Sequence, residues 1–254
     1  MQMPGHPLKP LRLAQQLTGY WLAIFTYVPV MTVLTLVSRG AWGPVLLRGW
    51  GRLMMANIGV RVHLEPGVLA ELRTQRARIV TFNHASTMDM FLMTLLWPPG
   101  GVAVVKRELL WIPVMGWMMT LLDFIPLNRG NREKAARMMA EAAQRTRERQ
   151  LSVMIAPEGT RSPDGQLQRF KLGAFHMAAQ AQAPIVPIVL HGTRFLWPKW
   201  WQYSEPGIVT IRILKEIPPP PDANDNIVMH RLADELRDQY KATLTEMERT
   251  VPWQ

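Results

Sequence analysis

The sequence predicts an α/β fold: a sandwich of helices around a largely parallel sheet, preceded by an N-terminal helical membrane anchor. Three observations predict it. An uncharged apolar run occupies residues 17–37. From Gly59 onward, short β-branched stretches alternate with helical ones, the rhythm of βαβ units. Two polar segments rich in reactive side chains, 83–89 and 157–162, each follow a strand-like stretch, where α/β sheets place their chemistry. The chain therefore divides into anchoring helices over 1–58 and a larger unit over 59–254, a length that suits one α/β domain with a small appendage.

Taken in order, the run 17–37 has no charged side chain, and about 20 apolar residues cross a hydrocarbon core of about 30 Å as a helix. Tyr20, Trp21 and Tyr27 suit a membrane interface, and Pro29 is expected to kink or break the helix. Residues 41–60, interrupted by Arg48, Gly51 and Arg52, read as a second, amphipathic helix lying on the membrane. Strands are expected at 60–64, 78–82, 102–105, 124–127, 152–156, 185–190 and 208–214, and helices at 68–76, 87–97, 113–122, 131–150, 170–182 and 224–250. Asn131 is placed to cap its helix, on which Ala135, Met138, Met139 and Ala142 share a face. Pro187 points to an edge strand or a bulge at 185–190, because proline cannot donate to a ladder.

The net charge of +10 is unevenly placed. Residues 1–60 hold Lys9, Arg12, Arg39, Arg48 and Arg52 and no acid; Glu65 is the first. Basic residues beside an apolar run favour an anionic membrane surface. Nucleic acid is disfavoured as a partner, since there is no zinc-finger spacing, RNP-like stretch or base-reading basic helix. The absence of cysteine excludes disulfides and thiolate metal sites.

His84 follows a strand and precedes a helix, with Asp89 five residues on. In one continuous helix that spacing would turn the two side chains apart. They can meet only if His84 lies in the loop and Asp89 in the first helical turn. Asp89 then holds one imidazole nitrogen protonated, and the other accepts a proton from an alcohol, the base and orienter of a serine-protease triad. The chain has no Gly-x-Ser-x-Gly elbow, so the nucleophile falls to the substrate's own hydroxyl. No His-x-x-x-His occurs, and six scattered histidines form no metal ligand set.

The second segment supplies an anion site. Pro157 fixes φ and Gly159 allows a turn other residues resist. Arg161 can grip a phosphate through two parallel hydrogen bonds, with Glu158 aligning either Arg161 or a substrate hydroxyl. Arg129 is a second candidate phosphate ligand, and Lys106 and Arg107 end a strand and add positive field. The stretch 195–201, with Trp197, Trp200, Trp201 and Lys199, suits either a membrane-interface loop or a packed core segment.

These segments resemble the four blocks of the 1-acyl-glycerol-3-phosphate acyltransferases. Asn83, His84 and Asp89 are similar to the first block, 124–129 to the second, 157–162 to the third and 186–189 to the fourth, in matching order over residues 60–215. The resemblance implies an αβ acyltransferase domain, with His84 and Asp89 catalytic and Lys106, Arg129, Glu158, Gly159, Thr160 and Arg161 binding the acceptor. It implies acyl-CoA or acyl-carrier protein as donor, a membrane lipid acceptor, no metal or other cofactor, and residence at the cytoplasmic face of the membrane. Two positions depart from the family pattern. Ala156 stands before the third block where Phe is common, and Asn128 precedes the second-block arginine where Asp is common. Both bear on which lyso-lipid is acylated, with lyso-ornithine lipid an alternative acceptor and a non-catalytic lipid-binding protein the alternative class.

Overall fold

The computed structural model describes residues 9–128, 130–199 and 201–253. Helix α1 (Lys9–Val37) and helix α2 (Gly43–Asn57) come first. A seven-stranded sheet follows: β1 (Val60–Leu64), β2 (Arg78–Phe82), β3 (Gly101–Lys106), β4 (Ile125–Leu127), β5 (Ser152–Ile155), β6 (Ile185–His191) and β7 (Gly207–Ile213), in the order β1-β7-β6-β2-β5-β3-β4. Every neighbouring pair is parallel except β6 and β7. Between the strands lie α3 (Val68–Arg73), α4 (Met88–Leu95), a 3-10 turn at Arg107–Trp111, α5 (Met115–Leu121), α6 (Arg132–Arg149), α7 (Gly173–Ala181) and α8 (Thr193–Leu196); α9 (Asn226–Thr250) closes the chain.

Strand alternation divides the core in two. Val80, Met154, Val186, Ile188 and Leu190 face one helical layer with Trp50, Met54, Met88 and Leu92. Ile79, Val153, Ile155, Ile185 and Val189 face the other with Ala143, Phe175, Met177, Leu236 and Tyr240. Central parallel strands covered on both sides need such near-continuous apolar runs. Helix α6 is capped as expected, with Asn131 Oδ1 accepting from the Lys134 amide at 2.8 Å.

Three expectations are corrected. Helix α1 runs unbroken through Pro29, held by burial of Ala23, Ile24, Val28 and Met31 against α2 and α5. Helix α2 turns its apolar stripe of Leu47, Trp50 and Met54 into the core rather than onto a membrane. Gly51 lets it approach α4 closely, since a Cβ there would lie 2.4 Å from the Leu95 backbone nitrogen. Pro187 sits in β6, an interior strand paired on both sides without a slip in register. The Tyr240 hydroxyl from α9 enters the ladder beside it, donating to Thr81 O at 2.8 Å and accepting from the Ile188 amide at 3.1 Å. A side chain thus satisfies backbone groups next to the missing donor.

One face of α1 remains open. Leu22, Phe25, Val30, Val33 and Val37 are exposed, and α1 is the one described helix long and apolar enough to cross a membrane.

Candidate active site

The carboxyl ends of β2, β5 and β3 lie side by side, and the loops leaving them form the site. Asn83 extends the β2–β6 pairing by a two-way amide clasp with Leu190, Nδ2 to O at 3.0 Å and N to Oδ1 at 2.8 Å. The chain then turns sharply at 84–87 into α4. His84 occupies the turn, Asp89 the first turn of α4, and His84 Nδ1 lies 2.9 Å from Asp89 Oδ2. The same oxygen accepts the Ala85 and Ser86 amides, both at 2.8 Å. Asp89 is fully buried, whereas the His84 side chain keeps 16% exposure. A carboxylate only accepts, so the proton resides on Nδ1 and Nε2 presents its lone pair.

The loop after β5 clamps His84 from both sides of its backbone. Glu158 Oε1 accepts the His84 amide at 2.6 Å and the His84 carbonyl accepts the Ser162 amide at 2.9 Å. Glu158 Oε2 takes the Gln168 amide at 2.8 Å. Both oxygens of Glu158 are therefore committed to backbone, and Arg161 is aligned elsewhere: its guanidinium donates to Thr87 Oγ1 at 2.5 Å. Burial pushes the Glu158 carboxyl up from 4.5 to about 7, against the pull of its two amide donors. Gly159 adopts φ +70°, closing the turn through its amide to Ala156 O at 3.0 Å.

His84, Asp89, Glu158, Gly159 and Arg161 are thus joined through one loop pair. Thr160 is exposed. Lys106 ends β3 at the same sheet edge, exposed, with its ammonium 3.7 Å from Glu108. Arg129 and Trp200 lie outside the described residues. Trp197 is half-buried against the layer containing Phe91, with its Nε1 donating to Trp201 O at 3.0 Å. Among the described residues no cluster of histidine, aspartate and glutamate is suited to a metal.

Sequence reading passed over Lys171, whose ammonium lies so close over Gly159 that a Cβ there would meet it at 2.8 Å. It also assigned no role to Ser86, Thr87 and Gln168, which act through backbone and hydroxyl contacts that no spacing announces.

The Acyltransferase family matches residues 67–191. A 1-acyl-sn-glycerol-3-phosphate acyltransferase of Limnanthes alba is 35% identical over 218 residues, covering 81% of this chain and 76% of that protein. The chain belongs to the 1-acyl-sn-glycerol-3-phosphate acyltransferase family. A Saccharomyces cerevisiae member is 35% identical over 200 residues, covering 76% of this chain and 62% of its own length. The fold matches the crystal structure of the Thermotoga maritima 1-acyl-sn-glycerophosphate acyltransferase PlsC with a TM-score of 0.76, covering 97% of this chain and 99% of that one at 24% identity.

Proposed function

We propose that this protein moves a fatty acyl group from a thioester donor, acyl-CoA or acyl-carrier protein, to the free hydroxyl of 1-acyl-glycerol-3-phosphate. The products are phosphatidic acid and a free thiol. The observation that carries this reading is the 2.9 Å contact of His84 Nδ1 with a buried Asp89, beside a loop that brings Arg161 to Thr87.

In this reading His84 Nε2 takes the proton of the acceptor hydroxyl as its oxygen attacks the thioester carbonyl. The tetrahedral oxyanion collapses, the C–S bond breaks, and the departing sulfur receives the proton from the imidazolium. Asp89 holds the tautomer and stabilises the charge that appears on the ring. Arg161, together with Lys106, Arg129 and Thr160, seats the acceptor phosphate. Glu158 and Gly159 shape that pocket by fixing the loop against His84. The chemistry assigns no task to a metal or cofactor.

Within the N-terminal unit at 1–58, α1 acts as the membrane anchor, while α2 joins it to the core of the acyltransferase domain at 59–254. The exposed apolar face of α1 and the acid-free N-terminal basic residues favour an anionic membrane surface. Acyl thioesters are cytoplasmic metabolites, which assigns the domain to the cytoplasmic face and to phospholipid biosynthesis.

An acceptor screen with purified protein and a labelled thioester donor tests the reading. Lysophosphatidate is expected to be acylated faster than lyso-ornithine lipid or a phosphate-free lyso-lipid. Arg161→Gln is expected to raise KM for lysophosphatidate more than for the phosphate-free acceptor. Equal losses with both would reject the phosphate clamp, and preference for lyso-ornithine lipid would reassign the acceptor.

A further inference from the structure

The turn that presents the dyad is held from a third direction, and that hold leads back to the N-terminal helix. Ser86 Oγ donates to Trp197 O at 2.7 Å and accepts the Met88 amide at 3.1 Å. Ser86 also pairs with Pro198 in an isolated antiparallel bridge. Between α8 and β7 the described residues form neither helix nor strand. This segment closes on itself through the Trp201 amide to Pro198 O at 3.0 Å and the Glu205 amide to Leu196 O at 2.8 Å. It also reaches the anion loop, where Lys199 Nζ donates to Arg161 O at 3.1 Å.

Its far end is pinned by α1. Gln16 Nε2 donates to Ser204 O at 2.8 Å, and Gln16 Oε1 accepts the Ser204 amide at 2.9 Å. Gln16 is 6% exposed and Ser204 fully buried, and an ion pair between Arg12 and Glu205 lies alongside. A buried amide is tolerated only when both its ends are matched. Here the matching partner is the backbone of a single residue 188 positions away. Removing the glutamine side chain leaves the Ser204 N–H and C=O buried without partners, in a segment with no ladder of its own to hold it.

We propose that Gln16 is a positioning residue for the dyad. Through Ser204 it fixes the neighbouring Glu205, whose amide holds Leu196 O, and the adjoining Trp197 carbonyl fixes Ser86 in the turn carrying His84 and Asp89. Helix α1 therefore does two things: its open face meets the membrane, and its Gln16 face sets the catalytic loop. Seating of the anchor and geometry of the base are mechanically one unit. This inference rests on the acyl-transfer reading of His84 and Asp89.

The test uses the full chain on vesicles of phosphatidylcholine and phosphatidylglycerol, with thiol release as the rate. Gln16→Leu is expected to lower kcat about tenfold or more, as slight misplacement of a base does, with KM for the donor nearly constant and vesicle sedimentation unchanged. Folded Gln16→Leu with parental kcat overturns the proposal, as does a loss that follows loss of vesicle binding. Gln16→Glu supplies a readout that does not depend on the leucine variant folding. A protonated carboxyl copies the amide, its O–H donating to Ser204 O and its C=O accepting the amide, whereas a carboxylate faces the carbonyl with like polarity. Its kcat relative to the parent at each pH is expected to climb as pH falls; a flat ratio overturns the proposal. A parent no faster than His84→Ala rejects the acyl-transfer reading and this inference with it, whereas a fast parent equalled by both Gln16 variants rejects the inference alone.

Discussion

Asp89→Asn is the perturbation that isolates the charge on the dyad from the shape of the turn. Asp89 Oδ2 collects three hydrogen bonds, from His84 Nδ1 and the amides of Ala85 and Ser86. Asparagine keeps one acceptor oxygen for these donors, so the turn survives, but it removes the negative charge facing the imidazolium formed during proton transfer. Two unit charges 2.9 Å apart attract by about 5–6 kcal/mol at an effective dielectric of about 20. At about 1.4 kcal/mol per factor of ten, that corresponds to a kcat loss of about 4 × 10³ to 2 × 10⁴. The 16% exposure of His84 admits solvent screening and favours the lower end. The assay is thiol release with lysophosphatidate as acceptor, alongside a thermal melt. The new amide nitrogen takes the place of Oδ1, a buried atom without a partner, so a stability loss of about 1–3 kcal/mol accompanies the rate loss. A folded Asp89→Asn enzyme within tenfold of the parent would refute the electrostatic role assigned to this carboxylate.

Further outcomes follow from the same contacts. Burial raises the Glu158 carboxyl from 4.5 to about 7, so the stability it contributes is full below pH 4.5 and is lost as pH rises through about 7. Glu158→Gln should remove that dependence, worth on the order of 3 kcal/mol between those limits; parallel melting curves for parent and variant across this range would contradict it. Tyr240→Phe deletes the hydroxyl that bridges Thr81 O and the Ile188 amide, and denaturant unfolding should show a loss of about 2–3 kcal/mol. A loss below about 0.5 kcal/mol would mean that the ladder closes by itself. Paired Leu22→Asn and Phe25→Asn, both on the open face of α1, should lower sedimentation with anionic vesicles several-fold; undiminished binding would place membrane contact elsewhere.

Much of the site was legible because its parts are local. The five-residue spacing of His84 and Asp89 permits contact only across a loop-to-helix junction, and the chain makes that junction, with α4 beginning at Met88. The periodicities of 131–150 and 224–250 give helices close to α6 and α9. The roles of Glu158 and Arg161 were less accessible. Their partners, the His84 amide and the Thr87 hydroxyl, lie 74 residues away in sequence, and backbone amides and hydroxyls are acceptors and donors that every segment carries.

By itself the sequence determined the alternation of strands and helices, the apolar N-terminal run and the residue types of the dyad and anion loop, because these depend on neighbours within a turn or a pleat. Only the tertiary structure decided that β6 lies inside the sheet despite Pro187, that the apolar stripe of α2 faces α4 rather than lipid, and that Gln16 clasps Ser204. Each of these outcomes was set by which distant surface offered burial or a hydrogen-bonding partner, and local propensity has no knowledge of that surface.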